Sequence, residues 1–248
     1  MKFYDETFFR YVDAGAAASA EIVVPIVQAA LQPQSVLDVG CGQGAWLATW
    51  RRLGVTDVRG IDGDYVDRTR LAIPADSFQA RDLKYPFNLG RRFEFVQSLE
   101  VAEHLPPQSA EVFVTSLVLH SETVLFSAAP PGQGGHGHVN ERHYEFWRAL
   151  FLRHHYLPID FLRPRILTDQ RVEPWYRFNP ILYVVAQRIA ALPDNVRGSV
   201  ISTGAVIRDL APLPYRVRKR LVRLLPVSLM TTVARVKERI HRPPSQAS

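Results

Sequence analysis

Val36-Leu37-Asp38-Val39-Gly40-Cys41-Gly42-Gln43-Gly44 is the stretch that decides how the rest of the chain is read. An apolar run of strand length ends in a turn with glycines at 40, 42 and 44. A helix-forming stretch, Ala45 to Leu53, follows at once. Glycines at such a turn let the backbone approach a ligand and adopt conformations that a side chain forbids. A strand, glycine turn and helix can cradle a dinucleotide, but two features argue otherwise. Asp38 stands two residues before the first glycine, where its charge would repel a pyrophosphate, and the spacing is not G-x-G-x-x-G. An acid at that point suits a ligand with a cationic end.

Working outward, four more short apolar runs follow: Val58 to Asp62, Ser77 to Arg81, Phe93 to Leu99 and Thr123 to Ser127. Each is β-branched or aromatic. The stretches between them can turn or form helix, as at Ser109 to His120. Before the first run, Ala17 to Leu31 favours helix, and Pro25 is expected to kink or divide it. After Pro130 a Gly/His loop leads into a helix over Tyr144 to Arg153. Two further strands are expected at Pro158 to Leu162 and Ile181 to Ala186. Strands that alternate with helices predict a doubly wound α/β fold, with a mostly parallel seven-stranded sheet covered on both faces.

Of the 248 residues 47% are apolar and 22% charged, enough to bury a full core in a soluble protein. Cys41 is the one cysteine, which excludes an intrachain disulfide and a cysteine metal cage. Met1 to Glu6 has neither a basic nor an apolar leader region, so no signal peptide is expected and the cytoplasm is the predicted location. No apolar run is long enough to span a bilayer. The net charge of +6 is uneven. Residues 208–248 hold ten Lys/Arg against two acids, or +8, which leaves 20 basic and 22 acidic residues, or −2, for 1–207. The expected division is therefore a catalytic domain over 1–207 and a basic helical extension over 208–248. Nucleic acid is a poor partner for a domain whose own net charge is −2.

The motif Val-Leu-Asp-Val-Gly-Cys-Gly-x-Gly resembles the first motif of class I S-adenosylmethionine-dependent methyltransferases, and the later strands sit where that family has them. The resemblance is close over about residues 30–130 and extends to 1–190. It implies S-adenosylmethionine as cofactor, with Asp38, Gly40, Cys41, Gly42 and Gly44 around its amino-acid end. It also implies that Asp62, with Gly63 beside it, accepts the ribose hydroxyls; Asp64 is the fallback. Asp82, next to Leu83, stands at the family's place for an adenine contact, although an acid there can equally cap a turn. Ser98, Leu99 and Glu100 are expected to line the methionine side. Cys41, a small residue between two glycines, needs no reactive role.

Glu100-Val101-Ala102-Glu103-His104 follows the fourth strand. At helical spacing its two carboxylates and imidazole would share one side of a turn and could bind a divalent ion, Mg²⁺ or Mn²⁺. The string resembles one found in methyltransferases of the 3′-terminal ribose of small RNAs, where it helps hold a metal, and one in ubiquinone-pathway O-methyltransferases. In metal-free relatives it caps a helix instead. His136 and His138 are candidates to complete a metal set of Glu100, Glu103, His104 and His138. Alternatively His104, His136 or His138 acts as a general base. The segment Gly132 to Gly137 is flexible by composition and is expected to be a lid. Tyr144, Phe146 and Trp147, with Phe3, Tyr4, Phe8, Phe9 and Tyr11, would form apolar walls.

The first functional reading is O-methylation of a small hydroxylated metabolite, a sugar, a glycan or a natural product. The second is an RNA ribose 2′-O-methyltransferase, and the third a cofactor-binding protein without turnover. In the extension, Ala211 to Tyr215 reads as a hinge before basic helical stretches at Arg216 to Leu225 and Val227 to Ile240. Three roles suit residues 216–240: packing on the domain or on a second copy, contact with an anionic membrane surface on its inner face, or nucleic-acid binding.

Overall fold

The computed structural model describes residues 6–223, with side chains from Gly15 onward. The expected walls at Phe3 and Tyr4, the side chains of Phe8, Phe9 and Tyr11, and the second basic stretch lie outside the described residues.

In chain order the elements are α1 (Glu6–Leu31), β1 (Ser35–Val39), α2 (Ala45–Arg52), β2 (Asp57–Asp62), β3 (Phe78–Ala80), β4 (Phe95–Leu99), α3 (Ala110–His120) and β5 (Thr123–Ser127). There follow α4 (Tyr144–Arg153), β6 (Tyr156–Ile159), α5 (Arg163–Ile166), α6 (Pro174–Phe178), β7 (Ile181–Val185), α7 (Asp194–Arg197) and α8 (Leu213–Val222). The strands form one seven-stranded sheet in the order β3-β2-β1-β4-β5-β7-β6. The first five are parallel, and β7 runs antiparallel to both its neighbours.

Period-two alternation divides the apolar side chains between two cores. Val36, Phe95 and Leu125 pack with Val23, Val27, Leu47 and Trp50 of α1 and α2. Leu37, Val39, Val96, Val124 and Phe126 pack with Phe113, Leu117, Trp147 and Phe151 of α3 and α4. The strand order reverses between β1 and β4, so the crevice for a ligand lies beyond the carboxyl ends of that pair. Gly40 to Gly44 and Glu100 both lie there.

Of the two outcomes expected at Pro25, division is not seen, and α1 runs through it. The structure departs from the sequence expectations in three places. The strand expected at Pro158 to Leu162 sits earlier, because Phe161 and Leu162 turn into the core ahead of α5. Glu100 takes a left-handed φ of 58°, and the helical turn that follows is a single 3₁₀ turn over Ala102–His104. Glu100 therefore does not share a helix face with Glu103 and His104. Finally, Leu213 to Tyr215 is no hinge but the first turn of α8.

One buried cation ties the last part of this fold together. Arg163 is fully buried and pairs in two bonds with Asp160, at 2.8 and 2.7 Å. Its Nη1 also donates to the carbonyls of Phe178 (3.1 Å) and Arg208 (3.0 Å). Removing the guanidinium would leave a part-buried carboxylate and two carbonyls without their donor. Arg163→Ala should lower the unfolding free energy by about 3–5 kcal/mol, read in urea as an earlier midpoint with an unchanged slope.

Candidate active site

A cavity of about 680 Å³ opens at the switch point, lined by Gly40, Asp62, Gly63, Tyr65, Asp82, Leu83, Glu100 and His104 among others. Gly40, the first residue of the glycine turn, forms part of its wall. Gly40 has φ 84° and Gly44 φ 85°, left-handed values that strain any residue with a Cβ. A Cβ on Gly40 would also lie 2.3 Å from Val101 Cγ2. The turn is sewn to β2: the amides of Gly40 and Cys41 donate to Ile61 O, and that of Gly42 donates to Asp62 Oδ2 at 2.7 Å. Asp62 also accepts from the Gly63 amide (2.6 Å) and from the Tyr65 hydroxyl, whose ring lies over Gly63. Burial raises the Asp62 pKa, and these three donors oppose that.

Asp38 is buried beside the turn, and its Oδ2 has no hydrogen-bond partner among the described residues. Its register neighbour on β4 is Gln97. The Trp50 indole N–H, which can only donate, bonds Gln97 Oε1 at 2.9 Å. That leaves the Gln97 amide nitrogen for the Asp38 side. Burial pushes the Asp38 carboxyl up to about 7, the Gln97 side chain lowers it, and Asp62 raises it further. A cation entering here would find an acceptor already aimed and short of donors.

At the other end of the cavity, Asp82 is exposed, caps its own turn through the Lys84 amide (3.1 Å) and pairs with Lys84 Nζ (3.1 Å). Leu83 is buried in the wall. Asp64 lines the cavity with its carboxylate on Arg68. Of Ser98, Leu99 and Glu100, only Glu100 reaches the cavity. Ser98 is fully buried with its hydroxyl on Val39 O (2.8 Å), and Leu99 belongs to the core. Cys41 is buried as well; burial, Asp62 and Asp38 all push its thiol up, which fits an inert packing role.

Around Glu100 and His104, which line the cavity, stand two polar groups of residues. In the first, Gln133 Nε2 donates to Glu100 Oε2 (2.6 Å) and Asn179 Nδ2 donates to Glu100 Oε1 (3.0 Å). Asn179 Nδ2 also reaches Gln133 Oε1 (2.8 Å), and the Tyr144 hydroxyl donates to Asn179 Oδ1 (3.0 Å). Burial raises the Glu100 pKa; its amide partners lower it.

In the second group, Glu103, His104 and His138 bring ligand atoms within 4.8 Å of one another. Neither oxygen of the fully buried Glu103 side chain, nor His104 Nδ1, has a hydrogen-bond partner among the described residues. Burial pushes Glu103 well up and lowers His104 to about 3, with Glu100 and His138 respectively adding to the effect. His104 is therefore an electron-pair donor but a weak proton acceptor. His138 donates from Nδ1 to Glu141 Oε1 (2.8 Å), which leaves the lone pair on Nε2. His136 is an electrostatic neighbour of His104. Glu100 is not among the three residues whose ligand atoms converge; its carboxylate accepts from Gln133 and Asn179 and stands close enough to Glu103 to raise that acid.

The Gly132 to Gly137 segment, expected to be a lid, is pinned. Glu141 accepts from the amides of Gly132 (2.7 Å) and Gly134 (2.8 Å), and Val139 and Asn140 donate to Glu103 O. Its glycines supply the left-handed turns that let those amides converge. Of the expected walls, Trp147 is core and Tyr144 serves Asn179. Sequence reasoning missed Tyr65, Gln97, Gln133, Glu141 and Asn179. Only Glu141 carried a readable signal, as a carboxylate three residues after a candidate histidine.

A sheet of this order, with an acid-led glycine turn at its switch point and a second acid ending the neighbouring strand, defines an S-adenosylmethionine-dependent methyltransferase of class I. The chain belongs to the methyltransferase domain family, whose match spans residues 10–163. Solved structures with this fold include magnesium protoporphyrin IX methyltransferase (ChlM) from Synechocystis PCC 6803 with bound SAM. It is 16% identical, with 74% of this chain and 85% of that chain covered and a TM-score of 0.52. The sugar N-methyltransferase KedS8 from Streptoalloteichus sp ATCC 53650 is also 16% identical, covering 68% and 87%, with a TM-score of 0.51. The methyltransferase domain of a bacterial Hen1 is 18% identical, covering 68% and 98%, with a TM-score of 0.50. No curated protein matches the chain.

Gly40→Ala should be costly on two counts, a strained backbone and an overlap with Val101. A loss of about 2–4 kcal/mol in stability is expected, seen as a lower melting temperature together with weaker S-adenosylmethionine binding.

Proposed function

We propose that this methyltransferase moves the methyl group of S-adenosylmethionine to a hydroxyl oxygen of a small metabolite such as a sugar, a glycan or a natural product. The observation that carries this reading is the Glu103, His104 and His138 cluster beside the cavity, with its buried acceptor atoms unbonded. An amine already presents its lone pair when neutral, whereas a hydroxyl must shed a proton as the methyl arrives. Oxygen and imidazole donors of this kind fit Mg²⁺ or Mn²⁺. When bound there, such an ion would polarise an acceptor hydroxyl. The Nδ1–H of His138 on Glu141 is the outer support that ligating histidines generally have. Glu100, fixed by its two amide partners at the cavity wall, takes the hydroxyl proton in this reading. Most of the rate comes from holding oxygen, methyl and sulfur in line.

At the cofactor end, Asp62 accepts the ribose hydroxyls, displacing Tyr65 from its carboxylate. Asp82 and Leu83 meet the adenine, and Asp38 with the glycine turn receives the amino-acid end. An RNA ribose 2′-hydroxyl is the second reading, favoured by the same ligand cluster and opposed by the −2 charge of residues 1–207. The sugar N-methyltransferase among the fold's neighbours makes hydroxylated and aminated sugars the first acceptor panel to assay.

Chelation should abolish turnover, and Mg²⁺ or Mn²⁺ should restore it. Full activity in excess chelator would remove the ion and leave His138 as a base. Glu100→Gln should lower kcat by about 10²- to 10⁴-fold with S-adenosylmethionine affinity kept.

Asp38 sets a pH dependence. Its folded pKa of about 7 lies above the ordinary 3.8, so the free protein loses stability as pH rises from about 4 to about 7. A cationic ligand favours the ionised carboxylate, so below about pH 7 binding must expel a proton. Cofactor affinity should therefore weaken by up to about tenfold for each pH unit below 7. Calorimetry across this range should find the slope in the native protein and not in Asp38→Asn, which binds more weakly throughout.

A further inference from the structure

The basic extension plays no part in methyl transfer as derived above, yet α8 has two distinct faces. Its inner face is tied to the domain. The Tyr215 ring packs on Phe178 at 5.6 Å, Lys219 pairs with Asp209, and Arg218 Nη1 donates to Gln133 O at 3.1 Å. The Lys219 carbonyl sits so close to Gly132 that a Cβ there would lie 2.0 Å from it. The outer face is apolar. Leu213, Val217 and Leu221, at i, i+4 and i+8, are 64%, 44% and 61% exposed. Arg216, Arg220 and Arg223 are exposed alongside them, and residues 213–223 contain no acid.

We propose that the outer face of α8 seats the enzyme on an anionic lipid surface. A helix lying in a bilayer interface needs an apolar stripe to bury and cations at its margins to meet the headgroups, and this face presents both. Other occupants satisfy half of that description. A nucleic acid would pair with the arginines and leave the Leu/Val stripe in water. A second copy would set these cations against their own kind. The rest of the chain, 224–248, has four Lys/Arg and one acid and so carries the same sign. No helix among the described residues is long and apolar enough to cross a membrane. Because the inner face holds Gln133, the docked surface lies about one helix diameter, roughly 10 Å, from the loop that fixes Glu100.

The test uses the full chain and sedimentation with vesicles of phosphatidylglycerol and phosphatidylcholine against phosphatidylcholine alone. The native protein should pellet with the anionic vesicles, less so in high salt, and remain in solution with the neutral ones. The variant Leu213→Ser/Val217→Ser/Leu221→Ser should lose at least about tenfold in vesicle affinity. Arg216→Glu/Arg220→Glu/Arg223→Glu should lose more, since each basic residue near such a surface is worth about fivefold. Both should still bind S-adenosylmethionine; if the serine variant does not fold, the charge-reversal variant decides. The proposal is overturned if the native protein ignores anionic vesicles or if the variants pellet like it. It is equally overturned if the serine variant instead dissociates a dimer, or if charge reversal abolishes only oligonucleotide binding.

Discussion

The carboxylate of Glu141 accepts three hydrogen bonds at once, from the amides of Gly132 and Gly134 and from His138 Nδ1. Burial pushes this acid up, but the donors outweigh it and hold Glu141 below its ordinary pKa. A glycine-rich segment free to wander thereby becomes a fixed loop. The loop turns Gln133 inward to Glu100 and Asn179, fixes the tautomer of His138 and offers Gly132 as the seat for α8. Val139 and Asn140 close it from the other side on Glu103 O. The transfer end of the site thus rests on one side chain that touches neither cofactor nor acceptor in the reading given above.

Glu100 is the second constraint. A left-handed backbone at a non-glycine residue carries a cost of order 1–3 kcal/mol and persists only where its surroundings over-determine it. They do so here through the Glu100 amide on Ser127 O and Oγ and through the two amide side chains on its carboxylate. The reversal of direction at the end of β4 delivers Glu100 to the cavity and starts the short turn that buries Glu103.

The features legible in the sequence were those written in local pattern. The acid-led glycine turn, the alternation of apolar runs and the acid closing the second strand each depend on neighbours a few residues apart. The E-x-x-E-H string was read at helical spacing, whereas the positive φ at Glu100 and the single 3₁₀ turn after it set Glu100 off the face that Glu103 and His104 share with His138. Asn179, 79 positions from Glu100, stood in no recognisable pattern, since contacts across that distance arise from the sheet order rather than from periodicity. The hydrogen bonding of the Gly/His loop was hidden for a related reason: composition reports what a backbone can do, and the acceptor that gathers its amides lies outside that pattern. The fate of Ser98 also needed tertiary detail, because a hydroxyl at a strand end serves a neighbouring carbonyl as readily as a ligand.

Cys41 is the chain's single thiol, and it sits in the glycine turn with its sulfur against Gly60. A thiol reagent meets no target while that turn is closed on β2. Alkylation therefore requires an opening event, and its rate counts how often the turn leaves the sheet. Cofactor held against the turn would suppress those excursions, and so would anything that stabilises the β1–β2 seam beneath it. The molecule carries a built-in chronometer for motion at its own binding site, with no second cysteine to confuse the reading.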